Sequence, residues 1–228
     1  MSLLGIDTST AASAACVLRA DGEVFEVAPE PAALAARPAH ASELMPAVAD
    51  VMERADVDYG DLEAIVVGVG PGTFTGLRIG VATARALAAA NGLQLRPVSS
   101  LAALAAGIEA EAETAADDPP SLLPIIDAKR GEVFAAEYAR GGDRRWGPLA
   151  LRPAELAHRV RAGPLAAGDG SVRFRRVLEA AGISVMPDES RAHVVRALHV
   201  CRLAAAVPGV APQAVLPDYL RPPDAKPQ

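Results

Sequence analysis

Apolar positions along this 228-residue chain come in short blocks, each closed by glycine, proline or hydroxyl residues. Leu3 to Asp7, Ala14 to Leu18 and Glu23 to Val27 read as strands joined by Thr8-Ser9-Thr10 and Asp21-Gly22, which predicts an opening β-meander. Pro29 to Pro38 is Pro/Ala-rich and predicts an irregular loop. Ser42 to Arg54 predicts a helix, capped by Ser42, with Glu43 in its first turn and Pro46 early enough to be tolerated. The unbroken run in 64–69 predicts a buried strand, 76–90 a helix, Leu95 to Val98 a strand, and Ser99 to Ile108 another helix.

The acidic, Ala-rich stretch 109–121 ends in Asp117-Asp118-Pro119-Pro120 and predicts a linker between an N-terminal lobe, 1–108, and a second lobe, 122–228. After it the pattern restarts. Leu122 to Ile126 delivers Asp127 into the turn Lys129-Arg130-Gly131, and Glu132 to Tyr138 returns. A helix from Pro153, a strand at 165–167, a helix over 171–180, a strand at 183–185 and a helix over 191–206 complete the expectation. Both halves open with an apolar strand that carries an Asp into a hairpin, as an internally duplicated α/β unit would.

Half of the residues are apolar, yet no run approaches the ~18–20 that cross a bilayer. The chain starts directly on a strand-like segment without a basic leader, so a soluble cytoplasmic protein, without membrane contact, is expected. Net charge is −6 and no basic block occurs, which argues against holding tRNA or DNA unaided. The densest basic group, Arg173, Arg175 and Arg176, reads as a solvated helix face. Cys16 and Cys201 belong to no C-x-x-C pair and read as small core residues.

Chemistry concentrates in Val69-Gly70-Pro71-Gly72-Thr73-Phe74-Thr75-Gly76. Two readings stand: a tight strand-to-helix connection, or a turn whose glycines expose N–H groups to an anion at the helix mouth. Asp7, beside Thr8 and Ser9, satisfies turn backbone groups or, with Gly70 and Gly72, marks a vestigial phosphate site. Lys129 and Arg130 occupy the matching turn of the second half, either as an exposed tip or facing the same cleft. No metal site is expected. No two of His40, His158, His193 and His199 are three to five residues apart, and Leu44 stands four after His40. No G-x-S-x-G occurs either, and no catalytic residue is assigned.

Surface for a partner is the alternative to chemistry. Gly76, Gly80, Ala84 and Ala88 form a smooth i, i+4 stripe. Leu44, Val48 and Val51 line one face of the preceding helix and Met45, Ala49 and Met52 another, so that helix needs cover on two sides. Leu44, Val48 and Val51 with Gly76, Gly80, Ala84 and Ala88, and His40 beside them, are the predicted partner interface.

Taken in order, Leu4 to Thr10, His40 to Pro46, Val67 to Gly80, Pro97 to Leu101, Ile126 to Phe134 and Pro217 to Arg221 resemble the bacterial TsaB (YeaZ) family, of the glycoprotease-like (TsaD-related) superfamily. The resemblance is dense over 3–138 and looser over 140–210. It implies a two-lobed actin/Hsp70-like ATPase (ribonuclease H-like) α/β fold built from a duplicated unit, the second lobe reduced. It also implies a non-catalytic subunit of the machinery that makes threonylcarbamoyladenosine in tRNA. The implied partners are a TsaD-type transferase and a TsaE-type small ATPase, with a homodimer when alone and tRNA met only through the complex. No cofactor is required on this reading, though weak nucleotide binding, or ATP at the partner interface, accords with it. A stand-alone sugar-kinase-like phosphotransferase using Asp7 and the Gly70–Gly72 loop is the competing function, and a peptidase lacks both ligands and nucleophile.

Overall fold

The computed structural model describes residues 2–114, 118–160 and 163–221. β1 (Ser2–Asp7), β2 (Ala14–Leu18) and β3 (Val24–Val27) form the expected meander, with Ile6 opposite Ala15 and Val17 opposite Phe25. α1 (His40–Ala55) then returns the chain so that β4 (Leu62–Gly70) lies parallel to β1 on its free side. α2 (Phe74–Asn91) repeats the crossover and places β5 (Gln94–Ser99) parallel to β4. α2 ends where Gly92 takes φ 66°, the left-handed conformation that stops a helix at low cost.

The second half repeats this plan. β6 (Leu122–Lys129), β7 (Glu132–Tyr138) and β8 (Arg144–Leu151) form a meander, and β9 (Leu165–Ala167) and β10 (Ser184–Val185) add in parallel on the other side of β6. The two sheets therefore have the same order, β3-β2-β1-β4-β5 and β8-β7-β6-β9-β10. The second sheet keeps all five strands but shortens the last two to three and two residues.

Three apolar layers hold the two sheets. Leu4, Ile6, Ile65 and Val67 point to one face of the first sheet and pack under α1 and α2. Leu123, Ile125 and Ala166 do the same on the outer face of the second sheet, under α4 (Pro153–Arg159) and α6 (Arg175–Ala180). Between the sheets lie α3 (Ser100–Thr114) and α7 (Ala197–Leu203), in a core that includes Val66, Leu104, Ile108, Ile126, Phe134 and Val200. The helices are exchanged. α3 follows the first sheet yet packs most heavily on β6, whereas α7 comes near the end of the chain and packs on β1 and β2. Glu26 of β3 fixes that return: its carboxylate accepts from Arg196 and from the backbone N–H of Leu198 (3.0 Å) in the first turn of α7.

Several expectations change. α3 runs through 109–114, the first half of the predicted linker, because Leu104, Ile108 and Ala112 continue an i, i+4 stripe under the acidic residues. Residues 115–117 of that linker lie outside the described residues. The helix expected over 171–180 is split into α5 (Asp169–Arg173) and α6, and that over 191–206 into a 3-10 turn, α7 and a second 3-10 turn. β8 was not expected. Gly147 and Pro148 interrupt its pattern, and a sheet edge is where a strand tolerates proline.

Candidate functional site: the cleft between the lobes

The strand-end Asp127 and the glycine-rich turn come together around one cleft of about 1070 Å³. Its first wall is the chain from Pro38 to Ser42 and from Gly72 to Ile79; its second is Asp127 to Arg130 with Phe134; Asp218 to Arg221 close one side. This tail strap spans both lobes. Asp218 N–H donates to Val69 O (2.7 Å) and Tyr219 stacks on Phe74 at 5.0 Å. Arg78 lies over the Phe74 ring and donates to Tyr219 Oη (3.1 Å), while Arg221 reaches Ala128 O (3.3 Å) and Glu132. Four cationic side chains line the cleft against the carboxylates of Asp127 and Asp218, a local reversal of sign on a chain of net charge −6.

Asp7, Thr8 and Ser9 are buried beneath this wall rather than lining it. Ser9 donates to Asp7 Oδ1 through its N–H (2.8 Å) and its hydroxyl (2.7 Å), and Ser100 Oγ donates to Oδ2 (2.8 Å). Burial raises the Asp7 pKa above the usual carboxylate value, against the lowering effect of those donors. With both oxygens engaged, and Oδ2 so close to Gly68 that a Cβ there would overlap it, the carboxylate is a structural acceptor in this geometry. The nearby glycines serve a close approach of chains. Thr73 N–H donates to Ser9 O (2.7 Å), and a Cβ at Gly72 would overlap Ser9. Gly70, with φ 119°, needs the freedom only glycine has. Of the five residues expected at a phosphate site, Gly72 alone lines the cleft.

Asp127, the counterpart in the second lobe, borders the cleft although it is itself buried. Burial pushes its pKa up, but hydrogen bonds and charge from Lys129 and Arg173 (2.9 and 2.7 Å to Oδ2) outweigh it and hold the carboxyl below its usual range. Lys129 and Arg130 take φ 61° and 56° in the β6–β7 turn, so this exposed tip also forms a cleft wall.

The predicted partner-interface residues point the other way. Leu44, Val48, Val51, Ala84 and Ala88 belong to the core beneath α1 and α2, and His40, Gly76 and Gly80 are buried as well. Small residues in α2 let it press against the β1–β2 turn, since a Cβ at Gly76 would overlap Thr8 O and one at Gly80 would overlap Thr8 Oγ1. The interface assignment is thus corrected: the smooth stripe meets this chain's own hairpin. The second face of α1 is open in part: Met45 is 43% exposed and Ala49 is exposed, whereas Met52 is buried in the core beneath the helix. Arg54 donates to Asp50 and to Glu26 O, marking the β3 flank of α1, so helical phase puts Met45 and Ala49 on the flank toward α2. On α2, Ala82 and Ala86 are exposed and Ile79 and Thr83 half-buried.

Sequence reasoning missed Ser13, Thr73, Arg78 and Ser100. Ser13 Oγ holds His40 Nδ1 at 2.9 Å across the first lobe, a pairing 27 residues apart that no local pattern announces. Burial lowers the His40 pKa, opposed by the Thr10 backbone, Glu43 and Asp7. Cys16 and Cys201, expected in the core, are buried side by side, with Cys201 Sγ donating to Cys16 O at 3.8 Å.

Two copies of one five-stranded sheet, locked by exchanged helices around an interlobe cleft, define the actin-like class of two-lobed α/β proteins. A family model described as TsaD, tRNA N6-adenosine threonylcarbamoyltransferase, matches residues 27–213. An uncharacterized protein of Mycobacterium leprae is 38% identical over 68% of this chain and 40% of its own length. The tRNA threonylcarbamoyladenosine biosynthesis protein TsaB of Escherichia coli is 34% identical over 64% of this chain, which spans 58% of that protein. The solved structure of YeaZ from Pseudomonas aeruginosa superposes with a TM-score of 0.78 at 26% identity, covering 96% of this chain and 99% of that one. The chain belongs to the TsaD family and, within it, to the TsaB (YeaZ) proteins.

Proposed function

We propose that this chain is a subunit of the machinery that makes threonylcarbamoyladenosine in tRNA, binding a TsaD-type transferase and contributing no catalytic group of its own. The observation that carries this is the uncharged strip between α1 and α2: Met45, Ala49, Ile79, Ala82 and Ala86. It is apolar and made mostly of small side chains, which let another helix pair approach closely. The TsaB relatives, named for threonylcarbamoyladenosine biosynthesis, support the pathway. The acidic balance supports a division of labour in which tRNA is held by the partner rather than by this chain.

On this reading the same strip pairs two copies of the chain when the transferase is absent. A TsaE-type small ATPase joins through a different surface, and the complex works in the cytoplasm without a cofactor bound to this subunit. No helix among the described residues is long and apolar enough to cross a membrane. The test is size-exclusion chromatography with light scattering, on the chain alone and mixed with the transferase of the same organism. A one-to-one complex is expected. Met45→Arg and Ala82→Arg, both at exposed positions, should abolish it while leaving the circular dichroism unchanged. A complex that tolerates both substitutions would remove α1 and α2 as the docking face.

A further inference from the structure

The last described residues cross the cleft instead of adding to either sheet. Val215 is buried in the core under α1 and α2, and it is the final buried residue among those described. Beyond it, Asp218 to Arg221 run over the surface, each exposed or half-buried, and attach to one part of the molecule after another. Asp218 and Tyr219 hold the first lobe. The Asp218 N–H donates to Val69 O (2.7 Å), and its own carbonyl oxygen passes so near Gly70 that a Cβ there would sit 3.0 Å away. Tyr219 stacks on Phe74 and accepts from Arg78 (3.1 Å), both at the start of α2. Leu220 packs against the apolar layer between the sheets. Arg221 then reaches the second lobe, donating to Ala128 O (3.3 Å) and to Glu132.

The position of this crossing matters. α3 and α7 fill the layer between the sheets, and Phe134 and Leu220 belong both to that layer and to the cleft lining. An apolar layer along one side of a cleft, with a strap across another, is the arrangement of a hinge and its fastening. The strap is also easy to release. With no buried side chain past Val215 among the described residues and its hydrogen bonds near the surface, it opens locally without disturbing the core. While it is seated, the contacts of Asp218 and Tyr219 keep Arg221 beside its acceptors, so weak individual bonds act at high effective concentration.

We propose that Asp218 to Arg221 form a releasable clasp that holds the two lobes at the observed cleft width. Unlatching it lets the second lobe swing away from the first about the α3–α7 layer. The clasp rests on contacts within this chain, and so stands or falls independently of partner binding.

The experiment is double electron–electron resonance on the full chain, with nitroxide labels at Ala90→Cys in α2 and Val177→Cys in α6, both exposed positions. Cys16 and Cys201 are buried and stay in place. Labelled protein is diluted with unlabelled chain so that only distances within one molecule are read. A single narrow distance is expected with the strap intact. Tyr219→Ala combined with Arg221→Ala should lengthen and broaden it, whereas Tyr219→Phe, which keeps the stack, should not. Leu216→Ala, an exposed change just outside the strap, should also leave it as it was. If circular dichroism shows the double variant misfolded, Arg221→Gln, which leaves the first-lobe anchors in place, gives the same reading. An unchanged distance in the strap variants, equal loosening by Leu216→Ala, or a distance already broad in the intact chain would overturn the clasp.

Discussion

Substituting Gly80 by alanine sets helix propensity against packing. Propensity alone says the change stabilises, since glycine inside a helix costs about 1 kcal/mol relative to alanine. Packing says otherwise. The new Cβ would overlap Thr8 Oγ1, whereas Thr8 Cβ and Cγ2 would stay at ordinary contact, 3.5 and 3.7 Å. The conflict is with one oxygen, and that oxygen is held by its bond to Gly76 O (2.8 Å). Moving it forfeits about 1 kcal/mol of hydrogen bonding, and displacing the packed turn adds about 1–3 kcal/mol. Gly80→Ala should therefore lose about 2 kcal/mol net and lower the Tm by roughly 4–8 °C for a chain of this size.

Thr8→Ala alone removes the oxygen and should cost about 1 kcal/mol, because Gly76 O keeps its place in the helix ladder. The double variant keeps the propensity gain without the overlap and should sit near wild type, a coupling of about 3 kcal/mol, large even for residues in contact. Urea denaturation of the four proteins reads this directly. A Gly80→Ala variant more stable than wild type, or additive with Thr8→Ala, would refute the argument that α2 carries glycine there for the hairpin.

Ala84→Arg and Val48→Arg each bury a cation in the core under α1 and α2, at a cost of several kcal/mol, and both should appear as misfolded or aggregated protein by circular dichroism. Folded variants that merely lose their partner would contradict the packing described above. His199 is buried, and desolvation lowers its pKa from 6.5 to about 4. Its contribution is complete above the unfolded value and is lost as pH falls through that window, by about 3 kcal/mol near pH 4. His199→Leu should flatten this part of the urea-midpoint profile, and an unchanged slope would assign the acid sensitivity elsewhere. Glu26→Ala leaves Arg196 and the Leu198 N–H without their carboxylate and should cost about 2–3 kcal/mol. Hydrogen exchange should then show α7 opening first, and uniform destabilisation would mean that α7 is held by its apolar face alone.

Much of the fold was legible because the signals are local. Alternating and continuous apolar runs closed by turn residues give β1 to β7, β9 and β10, without reference to the rest of the molecule. The duplication is equally legible, because each half begins with a strand that carries an aspartate into a hairpin. Where local signals competed, the stronger neighbour won. Acidic composition masked the Leu104, Ile108, Ala112 stripe that extends α3 through half of the expected linker. Gly147-Pro148 hid the edge strand β8.

The direction a residue faces was beyond the sequence. The stripe Gly76, Gly80, Ala84, Ala88 is a close-approach surface on either reading, but periodicity does not say whether the approaching chain is a partner or the β1–β2 turn. The tertiary structure decides for the turn and hands the open surface to Met45, Ala49, Ala82 and Ala86. Asp7 and Asp127 look alike in sequence and differ in fate: Ser100, 93 residues away, and Gly68 enclose the first, while the second stays at a cleft wall beside Lys129. Sequence by itself determined the elements, their order and their repetition, since each follows from side-chain period and backbone preference over a few residues. Only the tertiary structure decided burial, exchange of α3 and α7, and the composition of the cleft, because those arise from contacts whose partners lie tens of residues apart.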